Sequence, residues 1–352
     1  MSTILLLRFH ALGDVVLATG VAREVARVSG GPVVFATDPP FVPLLRGLSF
    51  VERVLTREAV SGAGRFARVI DLQGTAGSRG LATRIGPTRA LATRALARRW
   101  IVFWGDRWPR LPVPHAIERY AEAAGLPPDA GLLERCAPHL EVTDEDRAEV
   151  PPNSAAGGAR RPRVALLCGA SRVSKEYPPG SLARVGELLA AQGLEPLWID
   201  PPGRPAPIGV PWERRTLPLG GLKAMIAECA AAVGSDSGPS HLAAALGVPT
   251  LTLFGSTVRR FGFAPVHPHT RVVEAEGLAC RPCGVHGRNG CWMGHWRCLR
   301  EITPETVARN LLELMAASTG ARRPGAFGAA DPLLSPVDAA EAAAHPEGSS
   351  GE

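Results

Sequence analysis

The sequence predicts an α/β protein made of two doubly wound parallel-sheet units with a cleft between them. Three observations carry this. Apolar runs of strand length alternate with stretches whose apolar residues recur at helical spacing. Residues 151–162 (Pro-Pro-Asn-Ser-Ala-Ala-Gly-Gly-Ala-Arg-Arg-Pro) interrupt that rhythm with no apolar period. Beyond them the rhythm restarts. The 352 residues suffice for two cores. The expected division is an N-terminal unit, 1–150, a linker, 151–162, a C-terminal unit, 163–317, and a disordered tail, 318–352, rich in Gly, Pro, Ala, Ser and Glu.

The elements follow in order. Thr3 to Arg8 is a continuous apolar run that suits a strand buried on both faces. Phe9 to Asp14 forms its exit loop, and Val15 to Val28 has the apolar spacing of a helix. Pro32 to Thr37, Val51 to Leu55 and Arg68 to Asp71 read as further strands. After the linker come strand Arg163 to Cys168, loop Gly169 to Pro179, helix Gly180 to Gln192, strand Glu195 to Asp200 and helix Leu222 to Ala231. Val233 to Gly247 is a short strand, a polar turn and a helix, and Val248 to Phe254 is the next strand. Thr303 and Pro304 start a last helix running to about Ala317.

Hydrophobic content of 45% with 20% charged residues describes a globular chain, and no apolar run reaches membrane-spanning length. Met1-Ser2-Thr3 leads into a strand without a basic leader, so a cytoplasmic protein is expected. The net charge is +6, and the tail, with two Arg against five Asp or Glu, leaves the body more basic still. Arg79, Arg84, Arg89, Arg94, Arg98 and Arg99 lie in a stretch, Leu72 to Gly105, that contains no Asp or Glu. A surface for an anionic partner fits that pattern, beside the plainer reading of a tolerated basic face. Nucleic acid is disfavoured: no recognised module is present, aromatic and basic residues do not interleave, and there are only two Tyr.

Ligands of doubly wound sheets bind beyond the carboxyl ends of the strands. Asp14 and Asp71 fall there, each open to a plainer reading as a helix cap or turn former. The loop at Asp14 has one glycine where a dinucleotide fingerprint has three, so a nicotinamide or flavin site is not expected. Asp236-Ser237-Gly238-Pro239-Ser240-His241 opens a helix with no bulky side chains over its first N–H groups, which suits a phosphate. The alternative is that Asp236 and Ser237 simply cap a core helix. The loop Gly169 to Pro178 offers Ser171 and Lys175 to the same cleft, and a lysine acts on phosphate as a point charge.

These segments together resemble the bacterial lipopolysaccharide heptosyltransferases, glycosyltransferase family nine. The resemblance lies in Arg-Phe-His-Ala-Leu-Gly-Asp-Val-Val (8–16), Asp71-Leu72-Gln73-Gly74, Lys175-Glu176-Tyr177-Pro178, Asp236 to His241, Phe254-Gly255-Ser256-Thr257 and the closing Cys280 to Pro304 segment. It spans residues 4 to 316 in order. It implies the GT-B architecture, two Rossmann-like domains facing across a cleft, and a transferase that inverts the anomeric centre. The implied donor is ADP-L-glycero-D-manno-heptose, and the implied acceptor is Kdo-lipid A or its heptosylated form at the cytoplasmic face of the inner membrane. In that frame Asp14 is the expected base. Lys175, Ser171 and the helix start Ser237, Gly238, Pro239, Ser240 and His241 are the expected diphosphate and donor site, working without a metal. Asp236, being negative, is assigned to donor hydroxyls or to loop architecture. Asp71, Gln73, Arg84 and Arg89 are the expected acceptor contacts.

Cys136, Cys168 and Cys229 read as core residues, whereas Cys280, Cys283, Cys291 and Cys298 cluster with gaps of two, seven and six. Four thiolates suit a structural zinc, against the alternative of four reduced thiols in a partly buried loop. Two other functions stay open: a transferase with a different nucleotide sugar or acceptor, and an inactive protein that binds a sugar nucleotide or lipid.

Overall fold

The computed structural model describes residues 3–92, 95–104, 113–151 and 161–319. Residues 152–160 of the expected linker, Arg94 of the arginine segment and residues 320–352 of the expected tail lie outside the described residues. Among the described residues no helix is long and apolar enough to cross a membrane.

The N-terminal half holds strands β1 (Ile4–Leu7), β2 (Val33–Ala36), β3 (Val51–Leu55), β4 (Arg68–Asp71) and β5 (Thr88–Ala90). Its helices are α1 (Leu12–Ser29), α2 (Arg57–Gly62), α3 (Ala76–Ile85), α4 (Ala95–Trp104), α5 (Ala116–Ala124), α6 (Leu132–Arg135) and α7 (Asp144–Ala148). The C-terminal half holds β6 (Arg163–Leu167), β7 (Glu195–Ile199), β8 (Glu213–Arg215), β9 (Ala231–Ser235), β10 (Thr250–Phe254) and β11 (Thr270–Glu274). Its helices are α8 (Pro179–Ala191), α9 (Leu219–Ala227), α10 (Gly238–Ala245), α11 (Arg297–Arg300) and α12 (Pro304–Thr319).

Each half is one wholly parallel sheet, with strand orders β3-β2-β1-β4-β5 and β11-β10-β9-β6-β7-β8. In both, the chain order reverses beside the central strand, β1 or β6, so the crevice for a ligand lies at that strand's carboxyl end. The central strands are buried as their apolar runs require: Leu5, Leu6 and Leu7 in β1 and Val164, Ala165 and Leu166 in β6 are all 0% exposed. The largest apolar cluster is common to both halves, joining Val15, Leu17 and Tyr120 to Leu167, Leu242 and Ala243.

Two expected boundaries moved. Helix α1 starts at Leu12, not Val15, because Gly13 and Asp14 turn to the cleft and so contribute nothing to the apolar period. Asp14 is therefore a first-turn residue of α1 rather than part of an exit loop. Helix α9 is Leu219–Ala227, and Ala231 already belongs to β9. Gly220 and Gly221 extend α9 at its start because Glu149 packs against both. The edge strands β5, β8 and β11 carry no fully buried apolar run, which hid them from a reading by hydropathy.

Candidate active site

The carboxyl ends of the two sheets face each other across a cavity of about 850 Å³. On its N-terminal wall the chain leaves β1, turns at Ala11 with φ 71°, and enters α1 with no side-chain cap. Asp14, on the first turn, lines the cavity. Each of its carboxylate oxygens accepts one hydrogen bond: Oδ2 from Arg8 Nη2, and Oδ1 from the Tyr120 hydroxyl at 2.7 Å. Arg8 also donates through Nη1 to the Leu72 carbonyl, 2.9 Å. Burial, then the nearby Asp14 charge, push the Tyr120 hydroxyl well above its ordinary pKa, so it stays a donor.

The opposite wall is the start of α10. No side chain caps it, and the buried Ser237 hydroxyl has no hydrogen-bond partner among the described residues. Pro239 stands in the first turn, where its missing N–H costs nothing. Ser240 is buried and donates to the Ser235 carbonyl, 2.8 Å, which fixes the turn rather than a ligand. The uncapped helix start, at Ser237 and Gly238, thus lines the cavity, an arrangement that suits an anion. Lys175 enters from the turn Val173–Lys175, its Nζ 2.8 Å from Asp236 Oδ2. The Thr257 hydroxyl donates to that same oxygen, 2.7 Å. Of the two roles expected for Asp236, loop architecture is the one these contacts make. Ser171 lines the cavity with an exposed side chain.

The two walls touch where their helices begin. A Cβ on Gly238 would stand 2.6 Å from Leu12 Cβ, and one on Gly13 would stand 2.8 Å from the His241 ring. His241 is 7% exposed, its Nδ1 has no hydrogen-bond partner among the described residues, and burial lowers its pKa, which favours the neutral ring. It lines the cavity and packs on α1 at once.

The acceptor contacts expected from the sequence are mostly placed elsewhere. Asp71 is 0% exposed, and its carboxylate accepts from the backbone N–H groups of Gln73 and Gly74 and from the Ser78 hydroxyl. It organises the β4–α3 turn. Gln73 accepts from Phe9 N and bonds His10 Nε2 at 2.9 Å, just beyond the carboxyl ends of β1 and β4. Arg84 is near the end of α3, and the carbonyl of the next residue, Ile85, accepts from Phe66 N just before β4 begins. That puts Arg84 at the amino edge of the sheet, opposite the cavity. Arg89 and Arg68 crowd Gly125, where Arg68 also donates to the Ala124 carbonyl at the end of α5, so Arg89 lies at the same far edge. Both were singled out by the absence of local acidic partners, a signal that reports net charge but not which end of an element a residue occupies.

Sequence reasoning missed Tyr120 and gave no site role to Arg8, Arg98 or His286, naming Arg98 only as part of the basic stretch. Arg8 is the single charge ending an otherwise apolar strand, a signal that was available. Arg98 on α4 crosses between the halves, donating to the Phe261 carbonyl, 3.2 Å, with its guanidinium 4.3 Å from the Phe263 ring centre. Burial lowers its pKa to about 10. His286 lines the cavity from the cysteine-rich segment. That segment is tied to the lysine loop: Ser174 N donates to the Arg288 carbonyl, Arg288 N to Ser174 Oγ, and Gly287 presses on the Lys175 stem.

The four clustered cysteines are free thiols. Cys280 Sγ lies 3.7 Å from His295 Nε2, Cys283 Sγ donates to the Cys280 carbonyl, and Cys291 Sγ accepts from Trp296 N. Among the described residues no three His, Cys, Asp or Glu side chains converge as a metal-holding group. Burial raises the Cys291 pKa, but four backbone N–H groups, from Trp296, Met293, Gly294 and His295, outweigh it and hold this thiol below its ordinary value.

Residues 216–293 match the family described as glycosyltransferase family 9 (heptosyltransferase). Lipopolysaccharide heptosyltransferase 1 of Pseudomonas aeruginosa is 27% identical over 246 residues, 61% of this chain and 61% of that protein. The chain thus spans about three fifths of that relative's length. The structure of Escherichia coli ADP-heptose lipopolysaccharide heptosyltransferase II superposes with a TM-score of 0.67 at 20% identity, over 90% of this chain and 99% of that one. That of the glycosyltransferase family 9 protein from Veillonella parvula gives 0.69 at 19% identity, over 90% and 98%. The resemblance read from the motifs is present in sequence through the α9 to cysteine-loop region. In fold it extends over nine tenths of the chain, as the GT-B arrangement of two Rossmann-like halves.

Proposed function

We propose, for a chain that carries a glycosyltransferase family 9 segment at residues 216–293, the inverting transfer of heptose from ADP-L-glycero-D-manno-heptose to Kdo-lipid A or heptosyl-Kdo-lipid A. The reaction takes place at the cytoplasmic face of the inner membrane, where the anionic acceptor is embedded. One observation carries the reading. A carboxylate on one half and a lysine with an open helix start on the other line a single cavity of about 850 Å³.

Asp14 takes the proton of the acceptor hydroxyl as that oxygen bonds to the anomeric carbon. The bond from that carbon to the diphosphate breaks on the opposite face, and its electron pair leaves with ADP. Lys175 and the first N–H groups of α10 stabilise the charge that develops on the diphosphate, aided by the Ser171 and Ser237 hydroxyls. They are fixed before the reaction, so little reorganisation is required. No metal enters the scheme.

The test is ADP release from ADP-heptose with Kdo-lipid A presented in anionic vesicles. Asp14→Asn should lower turnover by about 10²–10⁴-fold, the range of a lost general base, with ADP binding retained. Turnover equal to the native protein would remove Asp14 from the role. Turnover only with a different nucleotide sugar would keep the mechanism and replace the donor.

A further inference from the structure

The Asp14 carboxylate is held by two donors that arrive from two further elements. Arg8 comes from the carboxyl end of β1 and is anchored to the Leu72 carbonyl beyond β4, and Tyr120 comes from α5. The Arg8 side chain is 9% exposed and Tyr120 1%. The guanidinium lies 5.6 Å from the centre of the Tyr120 ring, so the two donors brace each other as well as the carboxylate. Asp14 itself keeps 20% of its side chain open, on the cavity side.

We propose that Arg8 and Tyr120 are the positioning residues of this site, each fixing one oxygen of Asp14 so that a single orientation of the carboxylate meets the acceptor hydroxyl. The inference rests on the assignment of Asp14 as the base. Neither residue need touch a substrate. A lone aspartate on a first helical turn swings about two torsions and samples several directions. One donor on each oxygen removes that freedom and leaves one lone pair per oxygen to receive a proton. Other charged or titratable groups face Asp14 at longer range, namely His241 on α10, Arg98 on α4 and His286 on the cysteine-rich segment.

The test is kcat and KM for ADP release, measured on the full chain with Arg8→Gln, Arg8→Lys, Tyr120→Phe and Asp14→Asn. Arg8→Gln should lower kcat about tenfold or more with the KM for donor within twofold, the effect of freeing one oxygen of the base. Arg8→Lys should restore part of that loss. Tyr120→Phe keeps the ring packing and should lower kcat about tenfold, with the KM for donor within twofold. A purely structural role would lower the melting temperature and leave kcat in place below it. Native kcat in Arg8→Gln and Tyr120→Phe, with Asp14→Asn inactive, would overturn the positioning role alone. Full activity in Asp14→Asn would overturn the base assignment and the positioning role together. If Arg8→Gln does not fold, Tyr120→Phe decides the matter through its kcat.

Discussion

Lys175 Nζ and Asp236 Oδ2 lie 2.8 Å apart, with side chains only 12% and 8% exposed. The cation proposed to meet the diphosphate is therefore already paired, and its partner is an anion that a diphosphate would repel if left alone. Removing one member of such a pair is worse than removing both. Lys175→Met should weaken ADP binding by at least a hundredfold, and Lys175→Met with Asp236→Asn should recover about tenfold of that loss. Calorimetric titration with ADP checks this, and a double variant no better than the single one would show that Asp236 does not act through Lys175.

Gly238 allows the first turns of α10 and α1 to meet. Its backbone is ordinary, so alanine would be penalised only by contact, with Cβ 2.5 Å from Leu12 Cδ2 and 2.6 Å from Leu12 Cβ. Gly238→Ala should cost about 1–3 kcal/mol, the range for overpacking a tight contact. Thermal melts would show it, and an unchanged melting temperature would mean that the two helix starts are not held together.

Acid should loosen the contact between the halves through His115. Ile117 N donates to its Nδ1, 3.2 Å, so the ring proton sits on Nε2, which bonds the Ala264 carbonyl at 2.9 Å. Burial lowers its pKa to about 4, and burial does the same to His267. The unfolded chain takes up these protons near pH 6.5 and the folded one only near 4. The stability they contribute is whole above about 6.5 and declines as pH falls toward 4. His115→Asn keeps a capping side chain and should give a shallower fall in melting temperature between pH 7 and pH 5. An identical slope would remove His115 from the effect.

Lys223 on α9 and Asp146 on α7 are both 0% exposed, 2.6 Å apart, and the lysine also donates to the Pro43 carbonyl. This buried pair joins the halves. Lys223→Met strands the carboxylate, for which Arg46 at 3.2 Å is only partial compensation. A loss of about 3 kcal/mol is expected in denaturant titration.

Hydropathy made the fold legible where strands are buried on both faces. β1, β6 and β10 were readable as apolar runs, while Glu213–Arg215, half-exposed at an edge, was not. The start of α10 at the cavity was legible because an uncapped helix start has a local signature in small and hydroxyl residues at Ser237 to Ser240. The setting of Asp14 was not, since Tyr120 is 106 positions away and no local pattern joins them. The placement of the arginines was hidden for a related reason. Arg84 and Arg89 have the right charge, but the direction of α3 and the placement of β5 carry them to the far edge of the sheet.

The apolar cluster that joins Val15 and Leu17 to Leu167 and Leu242 bears on how the molecule comes apart. Two lobes linked by a polypeptide hinge alone would melt one after the other. Here the inner faces of both sheets close over one shared core, so neither lobe can lose its packing without exposing the other's. Heating should give one calorimetric endotherm whose van't Hoff and measured enthalpies agree, and the lobes should gain or lose their structure as a single cooperative unit.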